Sequence, residues 1–162
     1  MDDFGEFYAA RKDLVLRALL VTVGDRATAE DAAAEAFARA YARWSRVRGH
    51  PNPTAWVLRT ALNAQRSWWR RRHREIPGDP AHDPPVSAGA PPGLDPELRA
   101  AVAGLPVRQR QVIALRLLVD LSAEEAGELL GISPATVHVH LHRALGTLRQ
   151  RLGVDRPAEV ES

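Results

Sequence analysis

Residues 76–94, IPGDPAHDPPVSAGAPPGL, hold six of the chain's twelve prolines and show no apolar periodicity. A segment of this kind cannot bury enough apolar surface to offset the entropy of ordering it. It divides the chain into two modules, 1–75 and 95–152, joined by a flexible linker and followed by a tail at 153–162. Apolar residues on both sides recur at helical spacing, and no strand candidate is evident. The expected fold class is all-α: two small helical domains, the second containing a helix-turn-helix.

In the first module Phe4, Phe7, Tyr8, Leu14, Val15, Ala18 and Leu19 mark one helix. After Gly24-Asp25 a second helix is expected over about 28–44, burying Ala33, Phe37, Ala40, Tyr41 and Trp44. Its other side presents Asp31, Glu35 and Arg39 at intervals of four. The run Arg48-Gly49-His50-Pro51-Asn52-Pro53 is too rich in Pro and Gly to continue a helix. A third helix then runs over about 54–74, with Val57, Ala61, Ala64 and Trp68 as one stripe and Leu58, Leu62 and Trp69 beside it.

The second module is clearly punctuated. Asp95-Pro96 supplies a cap and a first-turn proline. Gly104-Leu105-Pro106 ends that helix, and 107–119 forms the next. Ser122 with Glu125 reads as a capping box before a short helix that stops at Gly131. Ser133-Pro134 starts a last helix whose buried stripe is Val137, Leu141, Ala144, Leu145 and Leu148. Ala126 is small where the two helices should approach most closely.

Residues 122–148 therefore form a helix-turn-helix pattern. Opposite the buried stripe of the last helix lie Ala135, Thr136, Val139, His142 and Arg143, with His138 and His140 flanking them. Thr136 and Arg143 can bond phosphate or guanine, and an exposed Val139 can meet a thymine methyl. The bland alternative is a helical hairpin inside a bundle, but both caps and the turn fall in register. The three histidines also invite a metal reading. His138 and His142 share a side, but His140 points away and no third ligand is near in sequence, so no metal site is expected. They read instead as polar groups at a DNA surface, whose charge depends on pH.

All four tryptophans lie within residues 44–69, and Arg70, Arg71, Arg72, His73 and Arg74 follow at once. Basic side chains interleaved with aromatics suit backbone contact plus stacking on unpaired bases. Trp56 and one of Trp68 and Trp69 read as core anchors, and the other of that pair faces nucleic acid. Asn63 is a polar amide within an otherwise apolar helix, after a loop that could fold back over it. Either the loop satisfies it or it is left to meet a base edge.

Composition removes other classes. With no cysteine, disulfides, cysteine-ligated zinc and thiol catalysis are excluded. No apolar run approaches the length of a membrane span. Asp2, Asp3 and Glu6 stand where a secretory signal would carry positive charge, so a cytoplasmic setting is expected. The net charge is only +2, yet residues 66–74 hold five arginines and no acid. A basic cluster on a nearly neutral chain suits a local polyanion contact. No cofactor is implied. An enzyme is disfavoured for want of a third ligand or a nucleophile–base pair. A free-standing helix-turn-helix dimer leaves the first module unexplained.

Three pieces in order, GDRATAEDAAAEAFARAYARW, TAWVLRTALNAQRSWWRRR and LPVRQRQVIALRLLVDLSAEEAGELLGISPATVHVHLHRAL, resemble the extracytoplasmic-function sigma factors, taken as the smallest members of the housekeeping sigma class. The resemblance spans residues 4–152. It implies a subunit that lends core RNA polymerase its promoter specificity, without catalysis of its own. Asp31, Glu35 and Arg39 would dock on the polymerase β′ clamp. Arg48, His50, Asn52 and Asn63 would belong to the pocket that captures a base flipped from the −10 element. Trp68, Trp69, Arg70 and Arg71 would hold the melted strand. Thr136, His138, Val139, His140, His142 and Arg143 would read the −35 element in the major groove. The linker would thread toward the RNA exit channel. The β flap and an anti-sigma protein are the further partners it implies. The chain departs from the family at Ala34, at His138, Val139 and His140, and in its HPNP loop at 50–53. One clamp contact and the base preferences therefore do not carry over.

Overall fold

The computed structural model describes residues 3–75 and 95–154, with side chains described except over 65–75. The expected linker at 76–94 and nearly all of the tail lie outside the described residues. Every regular element among them is helical. None of those helices is long and apolar enough to cross a membrane.

Helix α1, Asp3–Val23, carries Asp3 and Glu6 in its first turn, where acids offset the exposed amides. Gly24, at φ 78°, ends it. Asp25 then caps α2, Arg26–Ala42, by accepting from the Thr28 amide at 3.0 Å. The buried face of α2 is almost all alanine: Ala29, Ala32, Ala33, Ala36 and Ala40, with Phe37. Such a face lets α1 and the helix at Pro53–Glu75 approach closely, since interaxial distance follows side-chain size. Tyr41, expected in the core, is 59% exposed. It lies one residue beyond Ala40 on the wheel, at the edge of the buried stripe. The expected continuation to Trp44 breaks at Arg43, and Trp44–Val47 forms a separate turn, α3.

Helix α4, Pro53–Glu75, is started by Asn52, whose side-chain Oδ1 accepts from the Ala55 amide at 3.1 Å. Pro53 sits at the first helical position, where its missing N–H costs nothing.

In the second module Asp95 caps α5, Pro96–Ala103. The carbonyl end of α5 is closed by two arginines, one from the next helix and one from the last. Arg110, only 4% exposed, donates to the Ala103 and Leu105 carbonyls, and Arg151 donates to Ala101. Helix α6, Val107–Ile113, was expected to run unbroken to 119. It changes instead to a π-helical turn at Ala114–Leu118, with Leu117 56% exposed and Asp120 at φ 60° just after it. Helices α7, Ala123–Leu130, and α8, Pro134–Leu152, complete the module.

The two modules do not stand apart. One continuous core joins Val15, Leu19, Phe37, Leu58 and Leu62 to Val112, Leu115, Leu121, Leu129 and Val137. Helix α1 lies against α6 and the π-helical turn, and α4 touches α7. A second, smaller cluster of Ala101, Leu105, Ile113, Ala144 and Leu148 holds α5, α6 and α8 together.

Candidate nucleic-acid interface

The helix-turn-helix is built by three local devices. Ser122 accepts from the Glu125 amide, and Ser133 accepts from the Thr136 amide, each at 3.1 Å. Gly131 takes the left-handed conformation, φ 70°, that ends α7. Ala126 is buried where the helices meet, as its size suggested. A close approach lies one residue further on, at Gly127. A β-carbon there would stand 2.6 Å from the Ile132 carbonyl oxygen. A glycine inside an otherwise helical pattern was the signal for this contact.

The expected capping box is half made. The Glu125 amide is satisfied by Ser122, but its carboxylate turns across to the first module. There Oε2 accepts from Asn52 Nδ2 at 3.3 Å.

On α8 the buried stripe is Val137, Ala144 and Leu148, with Leu141 and Leu145 half-buried beside it. The outward face carries Val139, 45% exposed, between exposed His142 and Arg143. Exposed His138 lies on the His142 flank, and half-buried His140 lies on the opposite one. Thr136 is less available than expected. It is half-buried, and its hydroxyl lies 2.8 Å from Ser133 Oγ as part of the cap. Among the described residues no group of three or more histidines or acids gathers as a metal site.

The loop between α3 and α4 holds its own shape. The Asn52 backbone N–H donates to His50 Nδ1 at 3.0 Å, and Arg48 Nη1 lies 3.7 Å from Asp3 Oδ2. The Asn52 side chain is held at both ends, Oδ1 by the cap on α4 and Nδ2 by Glu125. Asn63 is exposed rather than covered by the loop. The reason is periodic. Val57, Leu58, Ala61 and Leu62 turn inward, and Arg59 and Asn63, four apart, turn out. Trp68, Trp69, Arg70 and Arg71 fall in the last turns of α4, where side chains lie outside the described residues.

On α2 the stripe of Asp31, Glu35 and Arg39 is exposed opposite the alanine face, and Glu35 and Arg39 pair at 2.7 Å. A further surface was not foreseen. Phe4 is ringed by Tyr8, Tyr41 and Trp44 at centroid distances of 5.1–6.1 Å, which leaves Tyr8 and Tyr41 open to solvent.

Two capped helices at a glycine turn, with a polar outer face on the second, define a helix-turn-helix protein carrying an additional helical module. The additional module matches the family model described as Sigma-70 region 2 over residues 7–75. The helix-turn-helix module matches Sigma-70, region 4 over residues 96–148. The chain is 34% identical to the RNA polymerase sigma-E factor of Streptomyces coelicolor, over 93% of this chain and 86% of that protein. It is 28% identical to the ECF RNA polymerase sigma factor SigW of Bacillus subtilis, over 93% and 89% respectively. The solved structure of the sigma factor RpoE from Bartonella quintana, in complex with the anti-sigma factor NepR, shares the fold. It has a TM-score of 0.76 over 96% of this chain and 100% of that one, at 23% identity. The chain belongs to the extracytoplasmic-function (ECF) sigma factors, alternative sigma factors that direct promoter-specific initiation of transcription. The expected place within the housekeeping class does not hold, because it is at odds with the ECF assignment.

Proposed function

We propose that residues 1–75 bind core RNA polymerase and read and open the −10 element, while 95–152 read the −35 element and 76–94 span the interval. In this reading Asp31, Glu35 and Arg39 dock on the β′ clamp, and the second module meets the β flap. Arg48, His50, Asn52 and Asn63 form the −10 site, and Trp68, Trp69, Arg70 and Arg71 hold the parted strand. His138, Val139, His140, His142 and Arg143 present the −35 face, with Thr136 fixing the start of the helix that carries it. The protein works in the cytoplasm without catalysis or cofactor of its own. An anti-sigma protein is a further partner, as NepR is for the Bartonella factor.

The observation that carries the reading is the outer face of α8. Val139, His142 and Arg143 stand together on a doubly capped helix held by Gly127 and Gly131. Among the described residues no hydrogen bond or ion pair engages that face, and its chemistry suits a thymine methyl beside a guanine or phosphate. The test is run-off transcription with purified core polymerase on genomic fragments. Discrete transcripts that need both proteins are expected, and none beyond those made by core alone would defeat the reading.

A further inference from the structure

One ring in the loop at 48–53 has its chemistry fixed by the backbone around it. His50 Nδ1 stands 3.0 Å from the Asn52 backbone nitrogen and 3.0 Å from the Asn52 carbonyl oxygen. A neutral imidazole carries its proton on one nitrogen and accepts at the other, so the two contacts call for opposite tautomers. The backbone decides between them. The Asn52 oxygen already accepts from the Trp56 backbone N–H at 3.2 Å, the first bond of α4. The Asn52 N–H has His50 as its acceptor, and a proton on Nδ1 would set two donors face to face. Nδ1 is therefore the acceptor, and the proton sits on Nε2. An imidazolium carries a proton there as well. Pro51 and Pro53 hold φ on either side of Asn52. Asn52 Oδ1 is tied to the Ala55 backbone N–H at 3.1 Å. The mounting of the ring is thus stiff, while His50 itself is exposed and no hydrogen bond among the described residues reaches Nε2.

A donor that cannot become an acceptor discriminates among unpaired bases. Thymine and guanine project a carbonyl oxygen, O4 or O6, where cytosine and adenine project an amino group. Against Nε2–H the carbonyl completes a hydrogen bond, whereas the amino group leaves two donors opposed and stripped of water. Resting on the −10 reading proposed above, we infer that His50 is a specificity-determining residue. It admits a keto base, thymine or guanine, in preference to an amino base at the flipped position. Losing that hydrogen bond and leaving its donor unpaired should slow initiation about tenfold.

Run-off with core polymerase measures this on a promoter fragment that the chain transcribes, with each position of its −10 element filled by the four bases in turn. At one position thymine and guanine are expected to exceed adenine and cytosine by about tenfold. A thymine analogue lacking the 4-carbonyl, placed there on the displaced strand, should fall to the adenine level. His50→Asn separates reading from folding. Its Oδ1 can take the Asn52 N–H in place of Nδ1, as asparagine does in turns, but its side chain stops short of the place Nε2 holds. That variant should still form the polymerase complex and initiate, with the four bases levelled. The tautomer is read separately, from imidazole nitrogen-15 shifts of the free chain at about pH 8.5, where neutral rings prevail, with His50→Asn identifying the signal. A proton on Nδ1 overturns the inference, as does a keto preference that survives in His50→Asn. Run-off with no keto preference at any −10 position overturns the base assignment and leaves the promoter reading standing. Absence of promoter-directed run-off from the wild-type chain removes the promoter reading itself, and the base assignment with it.

Discussion

Arg143 and Gly127 show how differently single residues serve the same motif. Arg143 is exposed on α8 and is the proposed reader of the −35 element. Arg143→Ala should cost about 1–3 kcal/mol in −35 recognition if the guanidinium makes a bidentate base contact. Transcription measured across −35 variants checks this, and loss of preference at one base pair is the expected pattern. Gly127 reads nothing but lets α7 lie on the turn before α8. Gly127→Ala drives a methyl into the Ile132 carbonyl and should destabilise the fold by about 1–3 kcal/mol. Gly146→Ala, which meets no atom within 4 Å, should stabilise by about 0.5–1 kcal/mol. Thermal unfolding of the two variants, side by side, should move in opposite directions. Asn63→Ala should impair promoter melting and spare binding to core polymerase, read as weaker permanganate footprints on a retained complex. The type of each of these residues was plain in the sequence, but its surroundings were not. The sequence leaves Asn63 between cover by the loop and exposure to a base edge, although Arg59, one turn earlier, already marks that side as outward.

Helices whose ends carry their own signals were legible almost to the residue. Asp95-Pro96, Ser122, Ser133-Pro134 and Gly131 are side chains and backbone preferences that act within four residues, so sequence alone exposes them. The π-helical turn at 114–118 carries no such local mark, and 107–119 was read as one regular helix. The end of α2 was missed for a related reason. Tyr41 and Trp44 continue an apolar spacing, but they serve an aromatic cluster at the edge of the module instead of its centre. The exposed stripe on α2 gives the prediction at this scale. Reversing both Asp31 and Glu35 to lysine removes the acids from that face without touching the alanine seam. Co-purification with core polymerase should be lost, while the helical circular-dichroism signal stays intact.

For the whole molecule, division into two modules was legible from proline and glycine between them, but their docking was not. Periodicity reports which side of a helix is apolar, never which distant helix will cover it. Glu125 satisfied a local capping rule on paper, yet its carboxylate belongs to a contact 73 residues away. The shared core has a measurable consequence for unfolding. All four tryptophans belong to the first module, whereas far-ultraviolet circular dichroism reports helices from both. If docking couples the modules, the two probes should give coincident thermal transitions, as a single cooperative unit requires. Glu125→Ala should begin to separate them.

The wider winding at Ala114–Leu118 sets a bearing for everything after it. It accommodates one residue more than an ordinary helical turn, and that surplus is taken up just before the chain swings into α7. Tightening the segment to ordinary winding with all its residues kept would rotate the downstream backbone by about 100°, one residue's step, about the axis of α6. Arg143 and its neighbours would then keep their sequence, their caps and their mutual spacing, yet be aimed along a different compass heading.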